Sequence, residues 1–247
     1  MAVARTLLPE TPTRLSPDLA EAVEALSQGE AILLYDAPDR EGEVDLVFLA
    51  EKVSPDRIRT LRQDAGGLIV VTMPEETREA LGLPYLADLL RGAGEISPLL
   101  PRLVPERFRY DQRSAFGISV NHRECFTGIP DLDRALTVKA VGELVRDQVS
   151  LSPGALKDRF ALTFLSPGHV PVLYSAPRLV RDRRGHTELS SALARMGGLT
   201  PSLVLCEMLG EDGRALPLSA ARDYARSHRH PLVEGRRIVE AWSRWSG

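Results

Sequence analysis

Cysteine is scarce in this sequence, which has only Cys125 and Cys206 among its 247 residues. Two cysteines cannot build the disulfide framework of a small secreted domain, and a four-thiolate zinc site needs more of them. We therefore interpret both as reduced core residues, and the chemistry must be sought in other side chains.

Long apolar runs and an excess of charge of one sign are also absent. No stretch approaches the roughly 18 apolar residues of a membrane-spanning helix, and the amino terminus lacks the apolar run of a signal peptide. With 31 basic and 34 acidic residues the net charge is −3, which offers no general field to attract nucleic acid or an anionic membrane. We expect a cytoplasmic protein that binds neither.

The sequence does contain short apolar runs that alternate with amphipathic segments, a pattern typical of α/β proteins. The predicted strands are 31–35, 46–50, 68–72, 116–120, 170–174 and 203–208, and the predicted helices are 16–26, 54–66, 74–81, 131–149, 187–196, 218–227 and 238–242. Segments 83–111 and 150–158 are predicted to be irregular. Because no repeat or linker divides the chain, we expect an N-terminal extension, 1–15, and a single domain, 16–247.

The segment 36–45, between the first two predicted strands, contains five carboxylates and one arginine. Loops at strand ends commonly form sites in α/β sheets, and oxygen ligands at this density suit Mg²⁺ or Mn²⁺. A solvated turn that keeps the adjoining strands soluble would have the same composition. The segment is therefore either a metal-binding loop or an ordinary solvated turn.

A basic segment precedes the helix predicted at 187–196. Arginines at positions 178, 181, 183 and 184 lead through Gly185 into this helix. The first N–H groups of a helix lack intrahelical partners, so together with arginine and the Thr187 hydroxyl they suit a phosphate ester. A solvated basic turn is the alternative, and His186 could be a cap or surface residue rather than a ligand or base. Together with the acidic loop, this segment favours a phosphorylated metabolite.

Glu207 is a carboxylate within an otherwise apolar predicted strand. Burying it is costly unless it is paired, so it is either hydrogen-bonded at the strand end or functional.

Six motifs in order resemble those of the 3,4-dihydroxy-2-butanone 4-phosphate synthase family. They are the acidic loop 39–45, Asp64-Ala-Gly-Gly-Leu-Ile, Thr127-Gly-Ile-Pro-Asp-Leu-Asp-Arg, Ser166-Pro-Gly-His169, Gly185-His-Thr-Glu188 and Leu205-Cys-Glu207. The resemblance covers 16–242, and the form of the Thr127 motif is similar to archaeal-type single-domain members. One such motif would be weak evidence, whereas six in order are specific.

The resemblance implies a role for each matching residue. Glu41 and His186 would bind a divalent cation, Mg²⁺ or Mn²⁺, while His169 and Glu207 would be the acid/base groups. The substrate-binding residues would be Arg40 and Asp45 at the sugar, Arg183, Gly185, Thr187 and Thr127 at the phosphate, and in addition Arg184.

The resemblance also implies a reaction and a fold. The family converts D-ribulose 5-phosphate to L-3,4-dihydroxy-2-butanone 4-phosphate and formate, as a homodimer of single three-layer α/β (α+β) domains with a mixed twisted sheet flanked by helices. Removing the proton at carbon 3 gives an enediolate, whose charge a metal can spread, and later steps need further proton transfers.

Some features depart from the family pattern. Residues 68–71 lack a cysteine that often stands there, Ser166 replaces a frequent arginine, and segment 83–111 is longer than in many bacterial members. No cysteine cluster follows Glu207, so we expect no fused cyclohydrolase.

Two other hypotheses are weaker. A nucleotide- or RNA-binding module of related fold would need a basic concave face, which the acidic loop opposes. A catalytically inactive relative is disfavoured because every proposed acid, base and ligand is present.

Overall fold

The computed structural model of the chain describes residues 15–106, 111 and 113–245. Of the expected N-terminal extension, residues 1–14 lie outside this range. The helices are α1 (Pro17–Ser27), α2 (Pro55–Thr60), α3 (Glu75–Leu81), α4 (Leu86–Gly92), α5 (Asp131–Asp147), α6 (Pro153–Thr163), α7 (His186–Met196), α8 (Leu218–His228) and α9 (Gly235–Trp245). The strands are β1 (Ile32–Tyr35), β2 (Val44–Leu49), β3 (Val70–Met73), β4 (Phe116–His122), β5 (Phe164–Tyr174), β6 (Leu203–Glu207) and β7 (Leu232–Glu234).

The strands form one mixed sheet in the order β4-β5-β3-β6-β2-β1-β7. The pairs β1–β7 and β3–β5 are parallel, and the other neighbouring strands are antiparallel. Every residue of β2 and β3 is buried, as expected for strands that are covered by helices on both faces.

Each face of the sheet has its own apolar core. On one face α1, α7 and α9 pack through side chains that include Leu193 and Trp242. On the other face α2, α5 and α8 pack through side chains that include Ile58 and Val138. The predicted three-layer α/β fold with a mixed sheet is thereby confirmed, while the domain limits 16–247 stay a prediction.

The prediction that 150–158 is irregular is wrong, because α6 begins at Pro153. Ser152 accepts a hydrogen bond from the N–H of Ala155, and proline occupies the first turn, so the usual start signals are present. The prediction failed because Leu156 is the one fully buried residue of α6, and the helix therefore lacks an apolar stripe.

Other element boundaries also differ from the prediction. Segment 83–111 is not wholly irregular, since α4 and two short 3₁₀ turns lie within it. β5 begins at Phe164, six residues before the predicted start at Val170, and the three-residue strand β7 was not predicted. No helix in the described part of the chain is long and apolar enough to cross a membrane.

Gly142 allows α5 to approach the turn that follows β2. A Cβ atom at Gly142 would lie 2.5 Å from the backbone nitrogen of Glu51. We expect Gly142→Ala to lower the free energy of unfolding by about 1–3 kcal/mol, because the backbone it meets cannot easily move away. Gly154→Ala is the control, since nothing lies within 4 Å of that Cβ position, and it should leave stability unchanged or slightly higher. Urea denaturation measures both, and equal effects would contradict this account.

Candidate active site

One buried carboxylate shapes the loop between β1 and β2. Asp36 Oδ1 accepts a hydrogen bond from the N–H of Glu43 at 3.1 Å, and Oδ2 accepts from the N–H of Glu41 at 3.0 Å. Arg40 Nη1 donates to the same Oδ2 at 3.2 Å. Because these bonds cross the turn, the acidic segment is an ordered loop around a buried group rather than a solvated turn.

The start of α7 packs against this loop and brings in an imidazole. His186 Nδ1 lies 3.4 Å from Glu41 Oε2, and Nε2 lies 3.2 Å from the carbonyl oxygen of Glu43 and 3.7 Å from Asp45 Oδ1. The ring is buried, with 6 % of the residue exposed. His186 is therefore part of the acidic cluster, and the interpretation as a surface residue is wrong.

The pKa values of this cluster reflect an excess of buried acid. Burial lowers the pKa of His186, but the charges of Asp45 and Glu41 outweigh it and raise the pKa to about 9. Burial raises the pKa of Glu41, but the hydrogen bond to His186 and the charge of Arg40 bring it down to about 2. Burial is the main cause that raises the pKa of Asp45 to about 7, and the charge of Glu207 adds to it.

The donor atoms of the cluster suit a divalent cation. Asp36, Glu41 and His186 each offer one ligand atom, and these atoms lie within 4.8 Å of one another. The buried Asp45 Oδ1 beside them accepts no hydrogen bond from a described residue. Carboxylate and imidazole donors of this kind fit Mg²⁺ or Mn²⁺. Since both oxygens of Asp36 already accept bonds within the loop, Glu41 and His186 are the candidate ligands.

Glu207 lies beside this cluster at the end of β6, opposite Asp45 of β2. Its Oε2 accepts a hydrogen bond from the N–H of Leu68 at 2.8 Å. Burial is the main cause that raises the pKa values of both Asp45 and Glu43, and the charge of Glu207 raises them further. The carboxylate is thus hydrogen-bonded at the strand end and also close to the proposed ligands.

His169 and Thr127 form a second group with Asn121. Asn121 Oδ1 accepts from the N–H of His169 at 2.8 Å, Asn121 Nδ2 lies 3.0 Å from His169 Nδ1, and the turn after Thr127 packs against the same side chain. His169 belongs to a bulge of β5, because Val120 pairs with Val170 whereas the next residue, Asn121, pairs with Leu165. Among the described residues, no hydrogen bond or ion pair joins this second group to the acidic cluster.

A cavity of about 980 Å³ opens beside Arg40. Its charged lining residues are six arginines and four acids: Arg40, Arg113, Arg178, Arg181, Arg183, Arg184, Asp39, Asp111, Asp182 and Glu188. Guanidinium groups suit phosphate oxygens, and the buried first turn of α7, with Gly185 and Thr187, follows directly on Arg184 in the chain. Because Arg40 also contacts Glu41, it connects this cavity with the acidic cluster.

Two acidic partners of Arg183 were missed by the sequence analysis. Glu188 Oε2 lies 2.6 Å from Arg183 Nη1, and Asp111 Oδ2 lies 2.8 Å from both Nε and Nη2. The Glu188 carboxylate belongs to a motif that assigned it no role. Asp111 is 72 residues from Arg183 in the chain, in a segment without motifs, so no sequence signal pointed to it.

A cation bound by Glu41 and His186 must displace the imidazole proton. Because the pKa of His186 is about 9, the ring is protonated at pH 7 before metal binds. We expect Mn²⁺ affinity to rise about tenfold per pH unit from about pH 7 to 9 and then to level off. Calorimetric titrations at several pH values measure this. His186→Asn should abolish the slope, His228→Asn on the exposed side of α8 should keep it, and a flat profile in the native chain would contradict the assignment.

Comparisons with known proteins agree with these features. The model of the 3,4-dihydroxy-2-butanone 4-phosphate synthase family matches residues 20–241. A synthase of that name from Methanosarcina mazei is 44% identical over 233 residues, covering 93% of each chain. The predicted resemblance to archaeal members is thereby confirmed.

Solved structures of such synthases share the fold. The Candida albicans enzyme aligns with a TM-score of 0.68 and 28% identity over 92% of this chain and 98% of its own. A synthase in complex with two magnesium ions aligns with a TM-score of 0.66 and 25% identity over 89% of this chain and 93% of its own. The chain therefore belongs to the 3,4-dihydroxy-2-butanone 4-phosphate synthase family and is a lyase of riboflavin biosynthesis.

Proposed function

We propose that the protein converts D-ribulose 5-phosphate to L-3,4-dihydroxy-2-butanone 4-phosphate and formate. The observation that carries this is the pair Glu41 and His186, 3.4 Å apart in a buried acidic cluster that adjoins an arginine-lined cavity through Arg40. A site for a divalent cation next to a site for an anion fits a sugar phosphate, because the two ends of such a molecule need these two kinds of contact.

Glu41 and His186 would hold the cation, Mg²⁺ or Mn²⁺. When bound, the cation supplies Lewis acidity to neighbouring sugar oxygens, which favours loss of the proton at carbon 3. Arg40 Nη1, 2.8 Å from Glu41 Oε2, keeps that carboxylate in place. Arg40 and Asp45 would contact the sugar hydroxyls.

Glu207 is the proposed acid/base group of the cluster, with His169 as a second one. The N–H of Leu68 holds Glu207 Oε2, so the carboxylate keeps one orientation while its other oxygen is available for proton exchange. Asp45 lies opposite Glu207, and its pKa of about 7 allows it to take up or release a proton near neutral pH. A carboxyl group that exchanges a proton near neutral pH suits a reaction with several proton transfers.

The phosphate would lie at the first turn of α7. The N–H groups of this turn, the Thr187 hydroxyl and the close approach allowed by Gly185 supply neutral contacts. Arg183 and Arg184 supply charge, and Arg184 is exposed and forms no ion pair with a described residue. A fixed phosphate holds the reacting carbons in place through the later steps.

We further propose a homodimer. Beside Thr127 the chain exposes Phe126 at 96 %, Leu132 at 71 % and Ile129 at 53 %. Clustered exposed apolar side chains are typical of an interaction surface. A second copy on this surface would cover them and could place His169 and Thr127 against the acidic cluster of the partner subunit, which would join the two groups of predicted residues.

The apolar surface gives a test of the dimer. We expect Phe126→Asp to shift the protein from dimer to monomer in sedimentation equilibrium at micromolar concentration, because an ionised carboxylate is costly to bury in an interface. Val149→Asp is the control, since Val149 is 93 % exposed and lies in the 3₁₀ turn that follows the C-terminal end of α5. A native chain that is monomeric at all concentrations would refute the dimer.

Purified protein with ribulose 5-phosphate and Mg²⁺ should release formate and the four-carbon phosphate in equal amounts, and chelation of the metal should stop it. Glu41→Gln should weaken Mn²⁺ binding and turnover together. Glu207→Gln should keep Mn²⁺ binding and lower kcat by about 100-fold or more, as expected for an acid/base group. Folded, metal-loaded protein that releases no formate would rule out the proposed reaction.

A further inference from the structure

Asp111 connects the two arginines that the proposed function assigns to the substrate. Its Oδ2 lies 2.8 Å from Arg40 Nη2 and 2.8 Å from Arg183 Nε and Nη2. All three side chains are largely buried, with exposed fractions of 9 %, 8 % and 18 % in that order. A single carboxylate oxygen thus occupies the point where two guanidinium groups converge.

The charge of the two arginines is more than balanced by neighbouring acids. Arg40 also contacts Asp36 and Glu41, and Arg183 also contacts the fully buried Glu188. Four carboxylates therefore surround two guanidinium groups. Between these two guanidinium groups, the described residues leave no net positive charge for a free anion, and the position best suited to it is taken by Asp111.

The same contacts fix the orientation of Arg183 without using all its donors. A guanidinium group carries five N–H bonds. The contacts with Asp111 and Glu188 engage Nε, Nη1 and Nη2 once each, so two N–H bonds have no partner among the residues that the structure describes. Arg183 can still donate to a phosphate at the first turn of α7, but only in the plane that its two acidic partners set.

We infer that Asp111 is a positioning residue that acts as an internal anion, holding Arg40 and Arg183 in fixed relation while closing the space between them to free inorganic phosphate. The inference rests on the proposed function, since it concerns arginines assigned to the same substrate. Asp111 would then determine specificity. The two arginines would bind a phosphate group whose sugar is also bound, but would not bind free inorganic phosphate on its own.

Asp111→Asn tests this inference, because it removes the charge and nearly preserves the shape. In the Mg²⁺-loaded protein we expect inorganic phosphate to bind about five- to tenfold more tightly, since a negative charge beside two guanidinium groups is lost. We expect kcat/KM for ribulose 5-phosphate to fall about tenfold, since the arginines lose their common anchor. Calorimetry measures the first effect and steady-state kinetics the second. If the role of Asp111 were merely structural, the substitution would weaken phosphate binding as well as lower kcat/KM.

Two further variants complete the test. Asp111→Glu retains the charge and should keep the phosphate Kd within about twofold of the native value. Asp56→Asn is the matched control, because Asp56 forms an exposed ion pair with Arg59 at 2.7 Å, and it should change neither quantity.

Phosphate binding that is unchanged or weaker in Asp111→Asn would overturn the inference. Calorimetry needs no turnover, so this result is independent of the proposed reaction. If the native protein does not consume ribulose 5-phosphate, the proposed function fails, while the phosphate Kd of the variant still decides the role of Asp111.

Discussion

The site depends on an imbalance of buried charge where β2, β6 and α7 meet. The register of β2 with β6 places Asp45 opposite Glu207, and the adjoining loop adds Asp36 and Glu41. Like charges this close, away from water, raise the cost of ionisation. Burial is the main cause that raises the pKa of Asp45, with the charge of Glu207 adding to it, and the charges of Asp45 and Glu41 raise the pKa of His186, so both groups tend to keep their protons. A divalent cation held by the proposed ligands would supply two positive charges in place of those protons.

A row of ion pairs connects this acidic cluster with the arginines of the cavity. Arg40 immediately precedes Glu41, yet its guanidinium group reaches both Glu41 and Asp111. From Asp111 the ion pairs continue to Arg183 and Glu188. This continuous row links a loop of the sheet with the first turn of α7, and each guanidinium group in it is held by at least two carboxylates. Such multiple contacts leave long side chains little rotational freedom, so the site can present charges in fixed positions.

Local sequence signals predicted most of the fold. Contacts between residues far apart in the chain could not be predicted in this way. Pro17 and Pro55 mark helix starts where the sequence placed them, and the apolar runs around Val47 and Leu205 form central strands. The sequence did not predict α6, because only one leucine of this helix is buried and its apolar residues therefore show no helical period. The candidate site shows the same limit. Motif order indicated the candidate residues, but local sequence could not show that Glu41 meets His186 while His169 contacts Asn121, since those contacts depend on how distant segments pack. Asp111 lies in a segment with neither motif nor period, and its role depends on geometry alone.

Backbone N–H groups hold Glu207 in position, and this accounts for the two adjacent glycines at positions 66 and 67. Gly66 has a φ of 88°, a left-handed conformation that ends the π-helical turn Leu61–Ala65. The next residue, Gly67, donates its N–H to the carbonyl oxygen of Glu207 at 3.0 Å, and a Cβ there would lie 2.4 Å from Glu207 Oε2. The following N–H, of Leu68, binds that oxygen. Two consecutive N–H groups therefore hold the main chain and the side chain of one residue. The proposed ligands Glu41 and His186 are positioned separately, by the Asp36 loop and by α7. The proposed acid/base group and the proposed metal ligands are thus held by different parts of the fold, and a substrate that contacts both would have to fit both at once.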